Sequence, residues 1–262
     1  MNRTRFAWAI LGAAMALLSA CAVRAEDAPA VAAASDLKFA LEEIAGKFRA
    51  EQGRAVKLVF GSSGNFAAQI AQGAPFQMFL SADEELIARL ADQGRALDRG
   101  TLYAVGRIVL FAPKGSPLRV DEKLIDLSAA IADGRIRRFA IANPEHAPYG
   151  RAAEQALRAL GLWDALKPKL VLGENVSQAA QFAATGSAEG GIFAYSLVLS
   201  PSVGGLGEYA LLPDSLHQPL RQRMALLKGA GATAQAFYAY VQTPEARAVF
   251  RRFGFILPGE GL

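Results

Sequence analysis

From Val31 onward, short apolar runs alternate with stretches in which apolar residues recur every three or four positions. Val31 to Ala34 is one such run. Leu37, Leu41, Ile44 and Phe48 then follow at spacings of 4, 3 and 4, which predicts one buried stripe on a helix over Asp36 to about Arg49. The order repeats as strand Val56 to Phe60, turn Gly61 to Gly64, helix Phe66 to Gln72, strand Met78 to Leu80 and helix Glu84 to Gln93, with Gly73 and Gly94 closing the helices. Short strands that are apolar throughout belong in a parallel sheet covered by helices on both faces.

Ile108 to Ala112 runs into Pro113 and Gly115, and the rhythm restarts at Phe139 to Ala142. Helix Arg151 to Leu160, strand Lys169 to Leu172, helix Ser177 to Ala184 and strand Gly191 to Ala194 follow. After Pro213 come a strand, Met224 to Leu227, and a closing helix with Ala236, Phe237, Tyr240 and Val241 on one side. The expected fold is α/β with two lobes, each a mainly parallel sheet flanked by helices. The chain would cross between them near 105–112 and 220–226, so that lobe I comprises 28–108 plus 222–262 and lobe II 109–221.

Four junctions in this pattern share a chemistry. At Ser35, Ser62-Ser63, Tyr149-Gly150 and Val176-Ser177 an apolar run breaks into small or hydroxyl residues and restarts as a helix. Helix N-termini carry unpaired N–H donors and partial positive charge, so several converging on one point would trap an anion without lysine or arginine. Taken singly, each serine reads as a plain N-cap. The capping box is nevertheless missing, because Ser35, Ser62 and Ser63 are followed three residues later by Lys38, Asn65 and Phe66. A carboxylate at such a site would repel an anion, and Asp36 is therefore expected to point into solvent.

The first 25 residues stand apart. Arg3 and Arg5 precede the apolar run Phe6 to Ala20, shorter than the roughly 20 residues of a spanning helix, which reads as an export signal. Two ends are open: cleavage after Ala25, making 1–25 the signal, or lipidation at Cys21, making it 1–20. Cys21 is the single cysteine, so no intrachain disulfide can form. Residues 1–25 hold three of the 28 basic residues and none of the 24 acidic ones, so the formal charge falls from +4 to +1 once they are removed. That argues against nucleic acid as a partner. The densest remaining cluster, Arg135, Arg137 and Arg138, reads as a solvated edge.

A search for catalysis finds little. The two histidines, His146 and His217, do not form a ligand-spaced pair, and His146 reads as a surface loop residue. There is no Gly-x-Ser-x-Gly elbow, phosphate loop or dinucleotide fingerprint, and Glu42-Glu43 and Glu84-Glu85 read as solvated helix faces. No catalytic residue and no cofactor is expected, and a two-lobed transferase would need an acid, a base or a metal in its crevice.

An ordered set of tracts nonetheless carries a resemblance: Ala32-Ala33-Ala34-Ser35, Phe60-Gly61-Ser62-Ser63, Gly73-Ala74-Pro75, Phe79 to Asp83, Asn143 to Gly150, Leu160 to Asp164, Glu174-Asn175-Val176 and Phe250 to Phe255. In these the chain resembles the periplasmic molybdate-binding proteins of ABC importers. The resemblance implies the type II periplasmic binding protein fold, a monomer in the periplasm or on a lipid anchor at Cys21, and a membrane permease as partner. It also implies molybdate and tungstate as ligands, with molybdenum present only as the bound oxyanion; sulfate or another tetrahedral oxyanion is the alternative. The family's contacts fall on Ser35, Ser63 with Ser62 beside it, the Tyr149 N–H and the Val176 N–H. A tyrosine that some members add falls on Ala194 here, with Tyr195 expected to face away and Tyr149 expected to replace it. Gln77 departs from the family's usual aspartate.

Overall fold

The computed structural model describes residues 28–260. The segment read as an export signal and Cys21 lie outside them. Among the described residues no helix is long and apolar enough to cross a membrane.

The first strand, β1 (Ala30–Ala34), is built almost wholly from alanine, and the reason lies in its neighbours. It pairs in parallel with β2 (Lys57–Gly61) on one side and β3 (Met78–Ser81) on the other, and both its faces are covered. Alternate residues along a strand point to opposite faces. Val31 and Ala33, with Met78 and Leu80 of β3, face a large core containing Leu37, Leu41, Ile44 and Phe48. Ala32, with Phe79, faces a second core containing Phe66, Ile70, Leu86, Ile87 and Leu90. The stripe Leu41, Ile44 and Phe48 lies on α1 (Lys38–Gln52), and Leu37 ends a short 3-10 turn, Ser35–Leu37, before it. The second core is supplied by α2 (Ser63–Ala71) and α3 (Glu84–Asp92).

Two further strands complete the first sheet, in the order β2-β1-β3-β10-β4, with β4 at Thr101–Gly106 and β10 at Leu220–Leu226. The second sheet runs β7-β6-β8-β5-β9 from β5 (Ile108–Pro113), β6 (Phe139–Ala142), β7 (Leu170–Gly173), β8 (Gly190–Ala194) and β9 (Gly207–Leu211). Both sheets are mixed, and each is mainly parallel as expected, with a single reversed strand. In each, four strands share one direction and only the strand at the fourth position runs against them, because the chain enters that position from the other lobe. Arg107 alone separates β4 from β5, and its guanidinium donates twice to Gly254 O, at 3.0 and 2.7 Å.

Helices α4 (Ile125–Ala132), α5 (Pro148–Ala159), α6 (Trp163–Leu166), α7 (Val176–Ala184), α8 (Tyr195–Val198) and α9 (Pro201–Gly204) belong to the second lobe. The chain returns to the first lobe to form α10 (Ala232–Tyr240) and α11 (Pro244–Arg252). Phe237 from α10 meets Phe48 edge-on, with ring centroids 5.2 Å apart. Gln77 has a structural task here: its Oε1 accepts from Gly231 N at 2.8 Å, just before α10. Truncating the fully buried Phe48 removes its contacts with Phe237 and Tyr240. Phe48→Ala is expected to lower unfolding free energy by about 3–5 kcal/mol in urea denaturation, and a loss below about 1 kcal/mol would mean that the core collapses to fill the space.

Candidate functional site

The carboxyl ends of β1, β2, β6 and β7 all open on the crevice between the lobes, where ligands of open α/β sheets are expected. A small cavity there is lined by Ser35 and Asp36 after β1, Gly61, Ser62 and Ser63 after β2, Ala147, Pro148 and Tyr149 at the start of α5, and Val176 at the start of α7. Ser35, Ser63, Tyr149 and Val176, singled out in the sequence, therefore meet at one place. All four are buried.

Their hydrogen bonds separate donors that find an acceptor among the described residues from donors that do not. The Ser63 hydroxyl accepts from Ala82 N at 3.0 Å, and the Ser35 hydroxyl accepts from Ser177 N at 3.2 Å. Neither hydroxyl donates to an acceptor among the described residues. Each oxygen is thus held by a backbone donor while its proton remains available. Tyr149 and Val176 occupy the first turns of α5 and α7, where the backbone N–H has no intrahelical acceptor, and neither N–H finds one elsewhere among the described residues. Pro148 at the first position of α5 presets the helix without adding a further unpaired donor.

None of these serines caps its helix by a side-chain bond, contrary to the reading of each in isolation. Asn175 caps α7 by accepting from Ser177 N and Gln178 N, both at 3.1 Å. Asp83 caps α3 by accepting from Glu85 N at 3.0 Å.

Adjacent serines divide the work in a way their order in sequence does not reveal. Ser62 donates to the carbonyl of His146 at 2.6 Å, across the crevice, and the same carbonyl accepts from Gly64 N at 3.0 Å. A Cβ on Gly64 would lie 2.4 Å from that oxygen, so only glycine allows the approach. His146 is accordingly part of a clasp between the lobes rather than a plain surface loop residue. Its Nδ1 lies 3.0 Å from Ser62 Oγ, and its Nε2 lies 3.6 Å from Glu174. Asn65 donates to Glu174 at 2.8 Å, and Arg151 pairs with Asp83 at 2.6 Å, also between lobes.

Asp36 departs most from expectation. Its carboxyl does not reach solvent; the residue is 1% exposed. Oδ2 accepts from Tyr149 Oη at 2.9 Å and from Gln222 Nε2 at 2.7 Å. Burial raises the carboxyl from 3.8 to about 6, against these two hydrogen bonds, which lower it. Burial, and secondarily the Asp36 charge, hold the Tyr149 hydroxyl well above its ordinary value. That hydroxyl is committed to Asp36, which corrects the expectation that it replaces the tyrosine missing at Ala194. Tyr195 does face elsewhere: Arg107 lies 4.8 Å over its ring, and Tyr209 packs against it.

Sequence reasoning missed Gln222, Tyr103 and Gly106, because nothing local marks them. A register shift in β10 at Gln222 breaks the ladder with β4 where Gln222 is wholly buried, and Tyr103 donates to its Oε1 at 2.7 Å. A larger cleft beside the cavity is lined by Asp83, Glu84, Glu85, Arg151 and Arg221, in which Arg151 pairs with Asp83 and Arg221 with Glu84. Glu84 is partly buried, which raises its carboxyl, yet the bound guanidiniums of Arg221 and Arg223 hold it below the ordinary range. That pair of contacts corrects its reading as a solvated helix face. Arg135 is likewise paired, with Asp126 and Asp133. No group of three or more His, Cys, Asp or Glu among the described residues could hold a metal ion.

Gly106 abuts the Asp36 network, where an added Cβ would lie 2.1 Å from Tyr149 Oη. Gly106→Ala is therefore expected to prop the lobes apart, giving a larger radius of gyration by small-angle scattering than the parent chain. An unchanged radius would show that Tyr149 turns aside at no cost to closure.

Comparison with known proteins agrees with this architecture. Residues 29–256 match the family model described as bacterial extracellular solute-binding protein. The molybdate-binding protein ModA of Rhodobacter capsulatus is 38% identical over 247 residues, covering 93% of this chain and 94% of that one. Its namesake from Azotobacter vinelandii is 39% identical over 243 residues, covering 91% and 93%. Among solved structures, the Azotobacter vinelandii periplasmic molybdate-binding protein superposes with a TM-score of 0.79 at 34% identity, over 88% of this chain and 99% of the other. With its two mixed sheets, its inter-lobe cavity and these relatives, the chain belongs to the bacterial extracellular solute-binding proteins.

Proposed function

We propose that this protein captures molybdate, and tungstate with it, between its two lobes and delivers it to the membrane permease of an ABC importer. The observation that carries the reading is the meeting, in one buried cavity, of four donors with no acceptor among the described residues: the Ser35 and Ser63 hydroxyls and the Tyr149 and Val176 N–H groups. A deprotonated tetrahedral dianion offers only acceptors and fits such a set. The contacts are to its oxygen atoms, and no protein atom ligates the metal. Hydrogen bonds to a charged partner contribute about 1.5–3 kcal/mol each, so neutral, preorganised donors suffice for tight capture without a lysine or arginine. Molybdate and sulfate present the same acceptors, and selection between them falls to the size of the closed cavity.

The relatives named for molybdate support this choice of anion. The N-terminal basic and apolar segment supports work outside the cytoplasm, as a monomer that is free or tethered through Cys21.

Calorimetric titration is expected to show molybdate and tungstate binding far more tightly than sulfate; equal affinity for all three would remove the selectivity. Removing both hydroxyls in Ser35→Ala plus Ser63→Ala is expected to weaken molybdate binding by roughly a hundredfold or more. A double variant that binds as the parent does would return both serines to a structural role.

A further inference from the structure

Asp36 is the one carboxylic acid on the wall of the cavity, and its two oxygens have opposite surroundings. Tyr149 Oη and Gln222 Nε2 both donate to Oδ2. Gln222 cannot be turned around, because its Oε1 accepts from Tyr103 Oη at 2.7 Å and its Nε2 also donates to Tyr149 Oη at 2.9 Å. A proton on Oδ2 could be taken only by Tyr149 Oη, whose own proton would then lose its acceptor, Asp36. Oδ1 is buried and has no hydrogen-bond partner among the described residues. A buried carboxylate oxygen without a donor is costly. An O–H at that position would be a donor on a residue that lines the cavity, where a tetrahedral oxyanion would offer only acceptors.

We propose that Asp36 is a specificity-determining residue of the oxyanion site: it enters the complex as the neutral acid and donates from Oδ1 to a fully deprotonated tetrahedral dianion, so that capture takes up one proton. The inference rests on the oxyanion reading above. The proton comes from solvent and no bond of the ligand breaks. Every element around Asp36 is compatible with this. Tyr103 from β4 and Tyr149 from α5 are the titratable groups facing it, both held protonated by burial and by the Asp36 charge. Gln222 from β10 and Ser196 from α8, which donates to the Asp36 carbonyl at 2.8 Å, are neutral, as are Gly61, Ser63 and Val176 around the cavity. The nearest cation in sequence, Lys38, pairs with Glu42. Among the described residues no arginine or lysine contacts the carboxyl to hold it ionised.

Burial already places the carboxyl at about 6, and a dianion beside it raises it further. The sign follows from linkage. Below about pH 6 the acid is protonated before the ligand arrives, and affinity is greatest. As pH rises above that value a proton must be gained on binding, and affinity falls by up to about tenfold per pH unit until the pH passes the bound-state value. A ligand carrying its own proton, such as hydrogen phosphate, would instead donate to an ionised Asp36 and take up none.

The test is calorimetry of the mature chain with sodium molybdate at about pH 7.5, in two buffers of different ionisation enthalpy, with dissociation constants measured from about pH 5.5 to 8.5. The parent is expected to take up close to one proton per molybdate and to bind more weakly as pH rises. Asp36→Asn keeps an acceptor toward Tyr149 and Gln222 and presents a permanent donor, so its uptake should be zero and its affinity flat with pH. Molybdate binding by the parent with no proton uptake overturns the role of Asp36 and leaves the molybdate reading intact. Failure to bind molybdate at any pH overturns that reading and this inference with it. Hydrogen phosphate binding more tightly than molybdate, without uptake, would make Asp36 an acceptor and overturn its role as donor. Should Asp36→Asn not fold, proton uptake by the parent decides alone.

Discussion

Tyr149 Oη, on α5 of the second lobe, and Gln222 Nε2, on β10 of the first, meet on a single oxygen of Asp36 at 2.9 and 2.7 Å. This is where the lobes are joined in the interior. In a low-dielectric environment such a network is strong when complete and costly when one member is missing. The surrounding chain is shaped to complete it. The irregular register of β10 falls at Gln222, Tyr103 fixes the orientation of its amide, and Gly106 leaves the space that a side chain would deny to the Tyr149 hydroxyl. Gly106 is also the last residue of β4, one position before the single-residue link to β5, so the junction of the lobes and the wall of the cavity are the same piece of structure.

Around that network, donors are deliberately left unpaired. Burying an N–H or O–H without an acceptor opposes folding, and most buried polar groups find partners. Here the cost is confined to first-turn amides and to serine hydroxyls whose oxygens are already held by Ser177 N and Ala82 N. The side chains that cap the nearby helices are Asn175 and Asp83, which frees Ser35 and Ser63 for other use. Charges are kept to the rim, where Arg151 pairs with Asp83 and Arg223 with Glu84, so the cavity presents neutral dipoles and one titrating acid.

At the edge of the cavity, the clasp at His146 explains why a Gly-Ser-Ser-Gly turn is needed and not merely tolerated. One carbonyl takes two bonds, from Ser62 Oγ and Gly64 N, and the glycine is required for the distance. The first serine and second glycine serve closure, while the second serine faces the cavity. A turn of four small residues thus does two jobs on its two sides.

Much of this was legible in the residues themselves. The alternation of short apolar runs and striped helices determined the α/β character, the two lobes and the elements that flank the cavity, though not β4, β9, α4 or α11, because periodicity records which face of each element must leave water. The four junctions were visible for a similar local reason: strand ends and helix starts have their own chemistry. The one reversed strand in each sheet was not legible, since its direction depends on how the chain re-enters that sheet from the other lobe. Nor was the burial of Asp36, whose charge alone argued for solvent, nor the division between Ser62 and Ser63, nor the part played by Gln222, which lies 186 positions from Asp36. Those were decided by tertiary structure, because the partners that bury a carboxyl, occupy one hydroxyl or spare another come from distant parts of the chain and meet only when the lobes close.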